Sequence, residues 1–150
     1  MIIDKETGNI IFETGEVLKP RMTFDEVKAS SIMNLLRKNS KTELNETEDL
    51  IFNPFTCYGS TVYMRAIISA NEVVKVTISL DEAANLYEDQ DYEKNFPSYK
   101  EKHINFINKI LQIDEVESKK RFIWGCVDFS SCVRSAFMEV QIKYYRSMEI

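Results

Sequence analysis

Hydrophobic and polar residues alternate over a long stretch between Phe55 and Leu80. Successive side chains of a strand point to opposite faces, so apolar residues of one parity predict a strand with one buried face. The interruption at 69–72 predicts a turn, because the short side chain of Asn71 tolerates a positive φ. The stretch therefore predicts an antiparallel hairpin. The residues of its apolar face are Tyr58, Val62, Met64, Ala66, Ile68, Val74, Val76, Ile78 and Leu80.

The opposite face of this hairpin is polar, and we expect its side chains to meet water. One apolar face is then left for another part of the chain to cover. The polar residues are Thr61, Arg65, Lys75, Thr77 and Ser79.

A first helix is predicted after Thr23. Thr23 and Glu26 have the spacing of a capping box, in which each side chain accepts a hydrogen bond from the backbone N–H of the other residue. Two serines follow, and serine is a poor helix former, so the sequence leaves open whether this helix ends at Ala29 or resumes through Leu36. Residues 38–49 are polar and charged and predict a surface connection.

A second helix is predicted from Ser98, which has the capping-box spacing to Glu101 and follows Pro97. Apolar residues then recur with the i, i+3, i+4, i+7 spacing of one helix face. An amphipathic helix of this length would cover the apolar face of the hairpin. Before it, 81–87 predicts a short helix and 88–96 predicts a loop. The apolar stripe consists of Tyr99, His103, Phe106, Ile107, Ile110 and Ile113.

Shorter apolar runs predict further strands. Ile2–Ile3 and Ile10–Phe12 predict a small hairpin with its turn at Asp4–Gly8, and Val17–Leu18 predicts a short strand. Residues 121–146 predict two more strands joined by a loop. That loop includes Ser130, Ser131 and Ser135. The predicted fold class is α+β, with a twisted antiparallel sheet of about four to six strands and helices packed on one face.

Length and charge narrow the class of protein. A chain of 150 residues buries roughly two thirds of its surface in one core, so residues 1–150 predict a single domain. The formal net charge of −5 argues against nucleic-acid binding, which depends on clustered Lys and Arg, and favours a basic partner. The first residues lack the pattern of a secretion signal, and no stretch is as apolar as a membrane span. We therefore expect a soluble, cytoplasmic protein.

No motif in the sequence predicts catalysis, a cofactor or a metal. His103, the single histidine, lies on the apolar stripe, which favours a packed imidazole bonded to backbone over a catalytic base. The three cysteines lack CxxC spacing, which favours reduced packing residues over a catalytic thiol. Trp124–Gly125 permits a close ligand contact, but a strand bend beside a core tryptophan is the more common arrangement. The cysteines are Cys57, Cys126 and Cys132.

The segment from Asp81 to Glu93 contains six acidic residues and no Lys or Arg. Such a run is as typical of a solvated surface as of a binding face. Its neighbours Tyr87, Tyr92 and Phe96 favour a binding face, because aromatic anchors surrounded by charge are typical of protein interfaces. The expected interface consists of Glu82, Glu88, Asp89, Asp91, Tyr92 and Glu93.

Several short motifs follow one another along the chain. They are Asp4–Gly8 before a strand, Gly15, Thr23–Glu26, the long hairpin, the amphipathic helix, Phe122–Gly125 with Ser130–Ser131, and Ile142–Tyr144. In this order they resemble small bacterial immunity proteins, which accompany polymorphic and contact-dependent growth inhibition toxins. The resemblance spans nearly the whole chain, and Trp124–Gly125 with the two serines is its most specific part. The chain departs from the resemblance at residues 132–136, which contain no glycine although a Gly-containing turn is expected there.

The resemblance implies a cytoplasmic protein that binds a cognate toxin domain and neutralises it by covering the active site or the substrate-binding surface. Such toxins are frequently basic nucleases, and an acidic inhibitor competes with their nucleic acid and accelerates encounter. The alternative hypothesis is an acidic secretion chaperone for an effector protein, and a third is a small enzyme acting through His103 or Cys57. We expect a monomer or weak homodimer that uses no cofactor or metal and binds no nucleic acid or membrane.

Overall fold

The computed structural model describes residues 1–37, 49–81, 86, 88–114 and 119–146. The strands are β1 (Ile2–Ile3), β2 (Ile10–Ile11), β3 (Val17–Leu18), β4 (Leu50–Ile51), β5 (Phe55–Cys57), β6 (Ser60–Ser69), β7 (Glu72–Leu80), β8 (Lys119–Phe122), β9 (Gly125–Cys132) and β10 (Phe137–Tyr144). The helices are α1 (Phe24–Lys28), a 3₁₀ helix (Ser31–Leu35) and α2 (Tyr92–Leu111). Seven strands form one antiparallel sheet and three form another, so the α+β class is confirmed, while the number of strands exceeds the prediction.

The larger sheet has the strand order β4–β6–β7–β10–β9–β8, and β5 also pairs with β6. β4 and β5 follow each other along one edge of β6, where Leu50 pairs with Ala66 and Phe55 pairs with Val62. Pro54 lies between the two short strands and has no N–H to donate to the ladder. A single edge position is therefore occupied by two strand fragments.

The predicted long hairpin is confirmed as β6 and β7. Ala70 and Asn71 form its turn with φ values of 51° and 66°, as a tight hairpin turn requires. The register shifts near this turn, so that Ile68 pairs with Val73 and Val74 becomes the bulge residue. Val73 is completely buried in place of Val74, which corrects the predicted apolar face at this position.

Two other hairpin residues differ from the prediction. Tyr58 lies in the turn between β5 and β6 with φ of 49°, and it is 43% exposed instead of facing the core. Thr77 was expected to meet water but is only 5% exposed. Arg65 and Gln141 pair with Thr77 from the two neighbouring strands, and their long side chains flank it. Cross-strand neighbours therefore bury a position that the alternation marks as exposed.

The N-terminal strands and the first helix follow the local predictions. β1, β2 and β3 form the small antiparallel sheet, and the N–H of Gly8 donates to the carbonyl of Asp4 at 2.8 Å in the predicted turn. The capping box of Thr23 and Glu26 is present at the start of α1. Lys28 is the last residue of this helix and Ala29 is its C-cap, and a separate 3₁₀ helix begins at Ser31.

The second helix begins earlier than predicted. α2 starts at Tyr92, so the loop expected over 88–96 is wrong from this residue onward, and the capping box at Ser98 is wrong because Ser98 lies inside the helix. Pro97 also lies inside the helix, where it removes one hydrogen bond to the carbonyl four residues before it. Burial of Phe96 against a neighbouring apolar cluster offsets this loss.

Two other predictions fall largely outside the described residues. The surface connection over 38–49 is described only at Asp49, and the short helix over 81–87 is described only at Asp81 and Leu86.

The C-terminal segment contains three strands instead of two. Ile123 and Trp124 form a tight turn that joins β8 to β9, and every residue of β9 pairs with β10. Ser130 and Ser131 therefore lie in a strand, which corrects the predicted loop, and Ser135 does lie in the loop before β10.

The larger sheet has two different faces. Its inner face shares one buried apolar cluster with α2 and with the small sheet, which confirms that the helix covers the hairpin. Members of this cluster include Ile3, Ile10, Val62, Met64, Ile78, Ile107, Ile110, Val140 and Ile142. The opposite side is called the outer face below. By strand register it carries Ile51, Thr56, Thr61, Tyr63, Arg65, Ile67, Ser69, Glu72, Lys75, Thr77, Ser79, Lys119, Arg121, Cys126, Asp128, Ser130, Cys132, Phe137, Glu139, Gln141 and Lys143.

Candidate functional site

Most of the expected interface residues lie together at the start of α2. Asp91 is the N-cap residue, Glu93 lies in the first turn, and Glu88 precedes the helix. All three carboxylates belong to exposed residues, and we call Glu88, Asp91 and Glu93 the acidic face. Tyr92 is half-buried beside them, whereas Glu82 lies outside the described residues.

Asp89 has a structural role within this group. One oxygen of its carboxylate accepts the backbone N–H of Asp91 at 2.9 Å, and the other accepts the hydroxyl of Tyr99 at 2.9 Å and the amide of Asn95 at 3.2 Å. These hydrogen bonds, that from Asp91 first, lower the pKa of Asp89. Asp89 therefore holds the chain before α2 against the helix. Asn95 and Tyr99 were not predicted to take part, although they lie one and two turns into the helix.

Apolar contacts fix the same end of α2. Phe96 packs in a small buried cluster with Leu86 and Met138, and Tyr92 packs against this cluster from the surface. Met138 belongs to β10, so the cluster attaches the start of the helix to the sheet. The acidic face is therefore presented by a well-anchored helix end. The N-terminal end of the helix dipole favours the negative charge there.

Asp81 opens the acidic segment but does not belong to the acidic face. Its Oδ1 atom accepts the N–H of Thr61 at 2.7 Å, and its Oδ2 atom lies 2.5 Å from Nζ of Lys102. The side chain is 16% exposed, and a φ of 47° turns the chain at this residue. Because both oxygens are engaged, Asp81 connects the end of β7 to β6 and α2.

His103 is a packing residue, as predicted. The ring is completely buried, Nε2 lies 3.1 Å from the backbone nitrogen of Leu80, and Nδ1 lies 2.7 Å from the carbonyl of Tyr99. Burial lowers the pKa of His103, so the neutral ring is favoured. Both nitrogens already have backbone partners, so the ring cannot act as a base without breaking one of these bonds.

The cysteines do not all pack as predicted. Cys57 and Cys126 are buried, but Cys132 is exposed at the end of β9, which corrects the prediction for this residue. Cys132 is the last residue of β9, where the strand reaches the surface, and it pairs with Phe137 on β10. Hydrogen bonds from the hydroxyl and backbone of Ser135 lower the pKa of the Cys132 thiol.

Trp124 and Gly125 form a strand bend with a packed tryptophan, as predicted. The indole N–H donates to the carbonyl of Lys5 at 2.9 Å, and a Cβ on Gly8 would lie 2.5 Å from the indole. A Cβ on Gly125 would lie 1.9 Å from the carbonyl oxygen of Lys143. The backbone of Lys143 therefore fills the space beside Gly125 and leaves no room for a ligand there.

Two concave regions are present among the described residues. A largely apolar cavity of about 220 Å³ lies between the start of the chain and β5, with Phe12, Phe52 and Phe55 in its wall. A more polar depression of about 360 Å³ lies between α2 and the turn before β6, lined by Tyr58, Lys102 and other residues. The apolar cavity is smaller than the roughly 300–1,000 Å³ typical of small-molecule sites.

Within the described part of the chain, no cluster of His, Cys, Asp and Glu has the arrangement of a metal site, and no helix is long and apolar enough to cross a bilayer. Comparison with protein-family models, with curated proteins and with solved structures finds no match to this chain. The geometry of the acidic face and the motifs of the sequence are therefore the basis for assigning a function.

Proposed function

We propose that this chain is an immunity protein that binds a cognate toxin domain in the cytoplasm and neutralises it by covering the active site or substrate-binding surface. The toxin is proposed to be a basic nuclease. The motif order described above and the net charge of −5 support the proposal. It assigns no reaction to the chain itself.

The acidic face is the observation that carries this proposal. Three exposed carboxylates lie within six residues, around a half-buried tyrosine, on a helix end held by Asp89 and Phe96. A fixed group of like charges steers an oppositely charged partner and loses little conformational freedom on binding. Tyr92 supplies an aromatic anchor of the kind that contributes much of the energy of an interface.

Rescue of growth tests the function. The chain is co-expressed with the C-terminal domain of the large secreted toxin encoded by the neighbouring gene. Protection from killing supports the proposal, and continued killing despite good expression of folded protein rejects it. A dimer that binds only an unfolded effector segment would support the secretion-chaperone hypothesis instead.

Charge reversal tests the interface. The triple variant Glu88→Lys, Asp91→Lys and Glu93→Lys leaves Asp89 in place, because the carboxylate of Asp89 organises the helix start. We expect association with the toxin domain to slow roughly tenfold or more at low salt, and the difference to shrink at high salt. Stopped-flow fluorescence at two salt concentrations measures both rates.

A matched control changes the net charge equally at another surface. Glu6→Lys, Glu13→Lys and Asp25→Lys alter three exposed acids away from α2, one of them also in the first turn of a helix. This control should slow association much less than the first triple variant. Equal slowing in both variants, or an unchanged rate in the first, would reject the acidic face as the toxin-binding surface.

A further inference from the structure

The outer face of the larger sheet exposes large apolar side chains to solvent. Ile51 is 47% exposed, Tyr63 is 39% exposed and Phe137 is 38% exposed. They come from β4, β6 and β10, so they are spread across the sheet. The helix α2 packs against the inner face, which leaves these three side chains accessible on the opposite side.

The outer face also carries a row of cations. Lys75 on β7 pairs directly with Lys143 on β10, Lys143 pairs with Cys126 on β9, and Cys126 pairs with Arg121 on β8. No acidic residue stands in this row. Like charges directly opposite each other destabilise a sheet, so Lys75 and Lys143 repel each other, and Asp128 on β9 offsets only the charge of Lys143. An anionic partner would relieve this repulsion.

The charge of the outer face is opposite to that of the whole chain. Among the described residues its cations are Arg65, Lys75, Lys119, Arg121 and Lys143, and its acids are Glu72, Asp128 and Glu139. Asp49 approaches Arg65 at 3.9 Å, and Asp128 lies 3.3 Å from Lys143. Even with Asp49 included, five cations outnumber four acids among the residues of this face that the structure describes, although the chain has a net charge of −5.

We propose that the outer face is a second interaction surface, which binds an acidic surface of a protein partner that also offers apolar side chains. Charge complementarity supplies the attraction, and Ile51, Tyr63 and Phe137 supply the apolar contacts. Three acids within the cationic surface, Glu72, Asp128 and Glu139, together with these apolar side chains, fit a protein better than a nucleic acid, whose backbone is uniformly negative. The inference does not depend on the toxin-binding proposal, because different residues on the opposite side of the sheet carry it.

A synthetic probe tests this surface directly. The probe is a short peptide in which glutamate alternates with leucine and glycine. Its glutamine analogue and a single-stranded oligonucleotide of equal charge serve as comparisons. Amide chemical shifts of the labelled protein at low salt locate the binding site. We expect the acidic peptide to shift the signals of β6, β7 and β10 and to bind more tightly than either comparison. Tighter binding of the oligonucleotide, or shifts confined to α2, would overturn the proposal.

Two sets of variants separate a docking surface from general attraction. Lys75→Glu with Arg121→Glu should weaken binding of the acidic peptide at least tenfold, whereas Lys19→Glu with Lys100→Glu makes the same charge change away from this face and should weaken it much less. Tyr63→Ser with Phe137→Ser should weaken binding without a change in net charge. Equal losses in the two charge variants, or full binding by the Tyr63 and Phe137 variant, would overturn the proposal.

Discussion

The Nε2 atom of His103 accepts a hydrogen bond from the backbone N–H of Leu80, with 3.1 Å between the two nitrogens. Leu80 is the last residue of β7, so this bond joins the central hairpin to α2. Since Nε2 accepts, Nδ1 carries the proton and donates to the carbonyl of Tyr99 at 2.7 Å. The neutral tautomer satisfies both partners, and a doubly protonated ring would break the bond to Leu80.

This bond predicts a dependence of stability on pH. The folded-state pKa of His103 is lower than its unfolded value of about 6.5, so the unfolded chain binds more protons between the two values. The contribution of His103 to stability should therefore be fully present above the unfolded pKa of about 6.5. It should be lost as the pH falls from that value through the lower, folded-state pKa. Urea unfolding at a series of pH values measures the change. NMR should show no titration of the imidazole until the pH falls well below that of a free histidine.

Removal of the imidazole provides the control. His103→Gln leaves the N–H of Leu80 without its present partner and should cost about 1–3 kcal/mol near neutral pH. It should also flatten the pH dependence in that window, because the chain has no other histidine. A slope that persists in the variant would assign the effect to another group.

The network around Asp89 predicts unequal effects of two neighbouring acids. Asp89→Ala removes the acceptor for the N–H of Asp91, the hydroxyl of Tyr99 and the amide of Asn95. Asp91→Ala removes a side chain that makes no capping hydrogen bond. We expect Asp89→Ala to lower the free energy of unfolding more than Asp91→Ala, and hydrogen exchange at the start of α2 to increase. Equal losses in the two variants would contradict this role for Asp89.

Gly8 and Gly15 provide a matched pair for the packing of Trp124. Both have positive φ, 78° and 97°, so an alanine at either position costs about 1–2 kcal/mol of backbone strain. Only Gly8→Ala also places a Cβ 2.5 Å from the indole, whereas nothing lies within 4 Å at Gly15. Gly8→Ala should therefore cost about 1–3 kcal/mol more than Gly15→Ala, because overpacking adds to the strain. Denaturation followed by Trp124 fluorescence compares them.

The cation row predicts a substitution that stabilises the fold. Lys75→Glu replaces a like-charge pair with an opposite pair facing Lys143, and should add about 0.2–1 kcal/mol to the free energy of unfolding. Lys119→Glu makes the same charge change but faces Asp128, so it should destabilise by a similar amount. Thermal unfolding at low salt measures both. Destabilisation by Lys75→Glu would show that Lys75 and Lys143 do not repel each other significantly.

Capping-box spacing predicted one helix start correctly and one incorrectly. At Thr23 the pattern is followed by a short helix in which both hydrogen bonds of the capping box are present. At Ser98 the same pattern lies inside α2, because the network of Asp89 and the burial of Phe96 move the start to Tyr92. The carboxylate of Asp89 contacts residues up to ten positions away, which a four-residue pattern does not include.

The long hairpin, the N-terminal turn, the first capped helix and the packed state of His103 follow from spacing along the chain. Each is indicated by the periodicity of apolar residues or by hydrogen bonds between near neighbours, although the Nε2 partner of His103, Leu80, is 23 residues away. The order of the seven strands, the bulge at Val74, the burial of Thr77 and the row from Lys75 to Arg121 depend on strand pairing and register. Those properties arise from contacts between residues far apart in the chain, so they were established only when the strands and helices packed together.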